Sequence, residues 1–174
     1  MALVVEDGTG KSDAESYNSV AEVSAYLAKT GEDAGWLALA SDTVREQVAR
    51  KVTRALDTEH TFRGEKKTAA QALEWPRSYA YDDDGFLYSD TAVPVRLKEA
   101  HAQLCSVAAG SGGTQTDIQP DQTEPGSVQA EAVSVGPISI STTFTGGRSQ
   151  TAYYRKVTRL LSELTESGSV LERA

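Results

Sequence analysis

The chain has 174 residues, 39% of them hydrophobic and 24% charged, with a formal net charge of −8. That length suits one domain with a modest core, and the acidity argues against a protein that coats nucleic acid by neutralising phosphates. One cysteine and two histidines exclude an intramolecular disulfide, thiolate metal sites and His-rich metal centres, and no apolar run approaches the roughly 18 residues of a membrane span.

In chain order, Met1 to Asp7 lacks the basic region and apolar core of a secretory signal. Leu3 to Val5 followed by Asp7-Gly8-Thr9-Gly10 predicts an extended arm that ends in a turn. Gly8-Thr9-Gly10-Lys11-Ser12 invites a phosphate-loop reading. That loop needs a glycine where Val5 stands and a helix that begins at the Lys-Ser, and Asp13 and Glu15 would repel phosphate. The spacing therefore reads as a polar turn. Ser19 and Glu22 have capping-box spacing. Val20, Val23 and Leu27 then share one face, and Gly31 stops the helix. Trp36, Leu37 and Leu39 form an apolar knot. A second helix is expected from Asp42 to Thr58, with Thr43 and Glu46 as a second capping box and Val44, Val48, Val52, Ala55 and Leu56 as its stripe. Arg45 to Lys67 holds seven Lys/Arg against four Asp/Glu, which reads as a solvated helix face. His60 reads as a surface residue at the helix end.

Thr68 to Leu73 is Ala-rich and predicts one to two helical turns. Trp75-Pro76-Arg77 ends them, because a residue before proline is pushed out of the α region. Trp75 reads as a core plug. Trp75 and Arg77 are also candidate interface anchors, since both residue types are favoured at such spots. Asp82-Asp83-Asp84-Gly85 cannot be a calcium loop of the EF-hand type, because Ala80 and Thr91 stand where carboxylates are required. Pro94 is placed for the first position of another helix, buried through Leu97, Ala100, Leu104 and Ala108 and ended by Gly110. Cys105, one turn after His101, reads as an inert core thiol rather than an activated nucleophile.

From Gly110 to Gly147 there is no Lys or Arg. Gly110 to Ser127 has the composition of a mobile loop. Val128 to Val135 and Ile138 to Phe144 alternate apolar and polar residues about Gly136-Pro137, a hairpin pattern, although Gly-Pro is not a preferred two-residue turn. Thr151 to Glu166 predicts the last helix, with Val157, Leu160, Leu161 and Leu164 apolar. The expected fold is mainly α: a helical bundle with an inserted β-hairpin before the C-terminal helix. It is one domain, divided as arm 1–15, helical core 16–109, loop and hairpin 110–147, C-terminal helix 148–167 and tail 168–174. No catalytic set, cofactor site or metal site is readable, so the expectation is a non-enzyme.

Several pieces occur together in order: Leu3-Val4-Val5-Glu6-Asp7-Gly8-Thr9-Gly10, Ala14-Glu15-Ser16-Tyr17-Asn18-Ser19-Val20-Ala21-Glu22, Ala72-Leu73-Glu74-Trp75-Pro76-Arg77, Tyr81-Asp82-Asp83-Asp84-Gly85, Val93-Pro94 and Val133-Ser134-Val135-Gly136-Pro137. This combination resembles a family of small proteins from tailed bacteriophages and prophages, often labelled putative DnaT-like single-stranded-DNA-binding proteins. The resemblance implies a head-tail connector, or adaptor: a virion protein, made in the host cytoplasm, that forms a ring commonly of twelve copies beneath the portal. It would dock the next tail component, a stopper or tail-completion protein, and let DNA pass without specific binding. It implies no catalytic residues, no cofactor and no membrane. The candidate partner surfaces are Trp75, Arg77, the hairpin residues Val133, Val135, Ile138 and Ile140, and Val170 and Leu171 of the tail. The alternative is a replication accessory protein that binds single-stranded DNA, which needs a positive groove and exposed aromatics.

Overall fold

The computed structural model describes residues 2–110, 130–135, 138–143 and 155–166. The chain divides into two compact units, one of residues 1–118 with 154–174 and one of residues 119–153.

The first unit is mainly α. Helix α1 spans Val20–Thr30, α2 Ala34–Leu37, α3 Asp42–Glu59, α4 Val95–Gly110 and α5 Arg155–Leu161. The start of α1 is the expected capping box, with the Ser19 hydroxyl accepting from Glu22 N–H and the Glu22 carboxylate accepting from Ser19 N–H. Gly31 closes it at φ 70°, the left-handed conformation that glycine adopts without a Cβ penalty. For α3 the cap is Ser41, whose hydroxyl accepts from Val44 N–H. Thr43 lies inside the first turn, so the expected Thr43–Glu46 capping box is not formed. The first helical residue of α4 is Val95, one later than expected. Pro94 instead contributes its carbonyl, which accepts from Leu97 and Lys98 N–H.

Helix α4 packs against α1, α2, α3 and α5. Its buried residues run from Leu97 through Ala100, His101, Ala102, Gln103, Leu104 and Cys105 to Ala108 and Ala109, so it is covered on more than the one stripe the periodicity marks. Around it the core gathers Tyr17, Val23, Leu27, Trp36, Val48, Val52, Leu56, Phe62, Trp75, Leu161 and Leu164.

Two expectations fail here for a local reason. Residues 68–73 are turns, not helix. Their backbone groups are taken by other partners: the Gln71 amide accepts from Thr68 N–H and donates to the carbonyls of Leu73 and Pro76, and Ala72 N–H reaches Lys11 of the arm. At the other end, α5 stops at Leu161 instead of Glu166. Leu164 and Thr165 N–H both bond back to Leu161. Thr165 then pairs with Phe62, and Arg63 N–H and Glu166 N–H bond across to Leu164 and Thr61. A short strand β1, Glu65–Lys66, pairs antiparallel with β2, Arg77–Ser78. Two residues each are too few to leave a period in the sequence.

The second unit contains the expected hairpin. Strands β3, Ala130–Val135, and β4, Ile138–Thr143, pair antiparallel with Val133 opposite Ile140 and Val135 opposite Ile138. The four hairpin candidates are thus cross-strand neighbours in one register. The Gly/Ser-rich loop expected between Gly110 and Ser127, the Gly136-Pro137 turn, and Val170 and Leu171 lie outside the described residues.

Candidate interaction surface

The Gly8–Lys11 turn is an anion cradle already filled. The Glu6 carboxylate, nearly fully buried, accepts from Gly8 N–H at 2.8 Å, Gly10 N–H at 2.9 Å and Lys11 N–H at 2.8 Å. Successive N–H groups converging on one oxygen pair form the kind of nest that binds anions elsewhere. The polar-turn reading therefore stands, with an occupant that the sequence reading missed. Gly8 has φ 100°, and a Cβ there would meet the Thr91 carbonyl at 2.1 Å. The turn is locked against the loop that precedes α4.

His101 and Cys105 are both fully buried. The Asn18 amide donates to the carbonyl of Lys98 and also faces His101 Nδ1 at 3.2 Å, which leaves the ring proton on Nε2, facing Thr53 Oγ1 at 3.0 Å. Burial pulls the imidazole down to about 4 and pushes the Cys105 thiol well up. A neutral imidazole beside a neutral thiol, 3.8 Å apart, is a packed pair rather than a nucleophile with its base. His60 caps α3 and is half-buried against Phe62 instead of lying on the surface.

Trp75 is fully buried, edge-on to Phe62 at 6.2 Å and to Tyr88 at 6.0 Å. It is the expected core plug, and with no exposed surface it is withdrawn as an interface anchor. The Trp75–Pro76 peptide is cis. Arg77 is withdrawn with it. Its guanidinium is spent inside the chain, donating to the carbonyls of Arg63 at 2.8 Å and Gly64 at 2.6 Å and to the Glu74 carboxylate at 2.7 Å. Arg77 thereby ties β2 to the 63–64 turn.

An exposed apolar surface lies just beyond. Tyr79, Tyr81, Phe86 and Leu87 are 69%, 47%, 72% and 59% exposed. They stand on a hydrogen-bonded finger. Tyr81 pairs with Leu87, Asp82 N–H bonds to the Phe86 carbonyl, and Tyr88 N–H bonds to Ala80. The Asp82 carboxylate caps the tip by accepting from Asp84 and Phe86 N–H, so the acidic run is a structural turn. Arg63 braces the side through Asp83 at 2.8 Å and the Tyr81 carbonyl. At the base, Tyr79 sits at φ 57°, which is uncommon for a bulky residue. Gly64 lies close beneath it, where a Cβ would meet the Ser78 carbonyl at 2.4 Å. The four exposed side chains are spread over a turn with no hydrophobic period, so nothing in the sequence pattern marks them as one surface.

Many of the described cations are paired with carboxylates. Lys11, Arg45, Arg50, Arg63, Lys66, Arg77, Arg96, Lys98 and Lys156 each lie within 2.6–3.6 Å of a carboxylate oxygen. Among the described residues there is no group of three or more His, Cys, Asp or Glu that could hold a metal, and no helix long and apolar enough to cross a membrane.

No curated protein and no solved structure matches the chain. A family model described as "Putative DnaT-like ssDNA binding protein" matches residues 1–174, and the chain belongs to that family.

Proposed function

We propose that this chain is a structural assembly subunit: a head-tail connector of a tailed-bacteriophage particle, forming a ring beneath the portal that extends the DNA channel and carries the next tail component. The observation that carries this over DNA binding is the pairing of nine cations with carboxylates on a chain of net charge −8. A strand binder needs cations to replace the counterions of the phosphates. A conduit for DNA instead benefits from weak repulsion. The ordered motifs quoted above supply the link to phage particles.

The second reading is a single-stranded-DNA-binding accessory protein. The family description speaks for it directly, and exposed Tyr79, Tyr81 and Phe86 are of the type that stacks on bases. One pair of measurements separates the two. Labelled single-stranded DNA is titrated at about 150 mM salt, where long-range charge effects are screened, and the chain is mixed with a tailed-bacteriophage portal protein. Co-sedimentation with the portal and no DNA affinity tighter than about 10 μM, a typical non-specific value, is the expected result. A low-micromolar or tighter constant for DNA, with no portal binding, overturns the connector reading.

A further inference from the structure

We propose that residues 167–174 fold back and dock on the 79–87 finger of the same chain, with Val170 and Leu171 against Tyr81, Phe86 and Leu87. Four large apolar side chains held in water on one turn are a recurrent mark of a contact surface. The finger is also pre-organised. Its backbone is closed by the Tyr81–Leu87 pairing, the Asp82 caps and the Arg63 brace, so a contact there would order little further. Such a contact lies within one chain and is compatible with either function given above. Any partner that takes the finger would first have to displace this segment.

The place where the described chain ends selects the occupant. Residues 61–64 lie between that end and the base of the finger. On one side Phe62 pairs with Thr165, Arg63 N–H bonds to the Leu164 carbonyl, and Glu166 N–H bonds to that of Thr61. On the other, Gly64 lies against the backbone of Ser78 and Ala80. The Arg63 guanidinium spans both sides, donating to the Thr165 carbonyl at 3.0 Å and to the Tyr81 carbonyl at 3.4 Å. Those two carbonyls are within about 9 Å of each other, because both donors belong to one planar fork. Val170 comes five residues after Thr165, a reach of about 17 Å when extended. That leaves length for a turn at Ser167-Gly168-Ser169, residue types that favour one. The composition fits as well. Val170 and Leu171 are an apolar pair, and Arg173 follows them. At the finger tip Asp83 is matched by Arg63, while Asp84 has no cation partner among the described residues. Arg173 supplies the opposite sign. Other occupants fit less well. Nucleic acid and anionic lipid are disfavoured by three consecutive aspartates, and a second copy's finger would set acidic tips against each other.

The test uses the full chain at low concentration. Hydroxyl-radical footprinting compares wild type with the double variant Val170→Asp, Leu171→Asp, with circular dichroism as the control for folding. Tyr81, Phe86 and Leu87 should oxidise about twofold or more faster in the variant, as for a contact formed at least half of the time. Leu37, exposed on α2, should keep its rate. A second measurement pairs Phe86→Cys with Leu171→Cys under mild oxidation. Cys105 is buried and its thiol is pushed well up, so it takes no part. The disulfide should close within one chain, roughly tenfold or more faster than in the pair Leu37→Cys with Leu171→Cys, because docking raises the effective concentration of the two thiols. Unchanged oxidation rates in the double-aspartate variant, or closure no faster than in the Leu37 pair, would overturn the contact. A disulfide that forms only between chains would overturn its placement within one chain. The portal and DNA measurements read the proposed function independently of all three outcomes.

Discussion

The Tyr17 hydroxyl donates a hydrogen bond to the Asp57 carboxylate forty positions later in the sequence. The same hydroxyl accepts from Trp75 N–H at 3.4 Å, and the other Asp57 oxygen accepts from Glu74 N–H at 3.1 Å. One carboxylate on α3 thus fixes both the segment leading into α1 and the turn that delivers Trp75 to the core. Burial pushes the Asp57 carboxyl up to about 6, with the Glu74 carboxylate pushing the same way. The hydroxyl, the amide and Lys66 pull it down, but not far enough to cancel the loss of solvent.

The pH dependence follows with its sign. The folded pKa lies above the unfolded value near 3.9, so the folded state holds a proton that the unfolded state releases. The stability from this group is fully present below about pH 4 and is lost as pH rises through about 6, by roughly 3 kcal/mol. His101, lowered by burial, works in the opposite direction over part of that range. Comparing Asp57→Asn with wild type at each pH cancels the histidine. The variant should be the less stable at about pH 4, because its amide presents N–H to the Glu74 N–H, and the gap should narrow towards about pH 7.5. Urea melts across the range check this; a gap independent of pH would mean that Asp57 is not protonated in the folded chain.

Trp75→Ala should cost about 3–5 kcal/mol, because it empties a fully buried site between Phe62 and Tyr88. Chemical denaturation is the direct measurement. A variant that melts like wild type would show the ring to be dispensable to the core.

Glu6→Ala should destabilise the chain by roughly 2–4 kcal/mol, since the N–H groups of Gly8, Gly10 and Lys11 lose their shared acceptor. The vacated nest remains shaped for an anion, so added formate or sulfate should restore part of the loss in Glu6→Ala and have less effect on wild type. Thermal melts with and without each anion decide it, and equal effects in both proteins would show that the nest does not survive without Glu6.

How much of this was legible follows the physics of each element. Helices α1 and α3 announce themselves because Ser19–Glu22 and the Asp42 region carry caps, and because Val23, Leu27, Val48, Val52 and Leu56 keep a helical period. The hairpin is visible because its alternation is strict from Val133 to Ile140. Residues 68–73 mislead because alanines favour helix while one side chain, Gln71, takes the backbone groups a helix would need. The Glu6 nest was legible in part: an acid two residues before Gly-x-Gly can fill the turn's N–H groups itself. The finger and the Asp57 clamp were not, since both depend on residues brought together from distant segments.

The last expectation concerns the hairpin. Strands β3 and β4 pair only with each other among the described residues, and a two-stranded hairpin is marginal in water on its own. Its apolar positions, Val133 with Ile140 and Val135 with Ile138, are cross-strand partners. In an assembly, several hairpins can join edges or pack on neighbouring subunits, and the ordering cost is offset by that burial. Hydrogen exchange should therefore show amides 130–143 exchanging quickly in a dilute monomer while α3 near Val48 and α4 near Leu104 stay protected. The same amides should become slow in the assembled particle. Equal, strong protection of Val133 to Ile140 in both states would mean that the hairpin is stable within the subunit itself, and its role as an element that forms on assembly would be refuted.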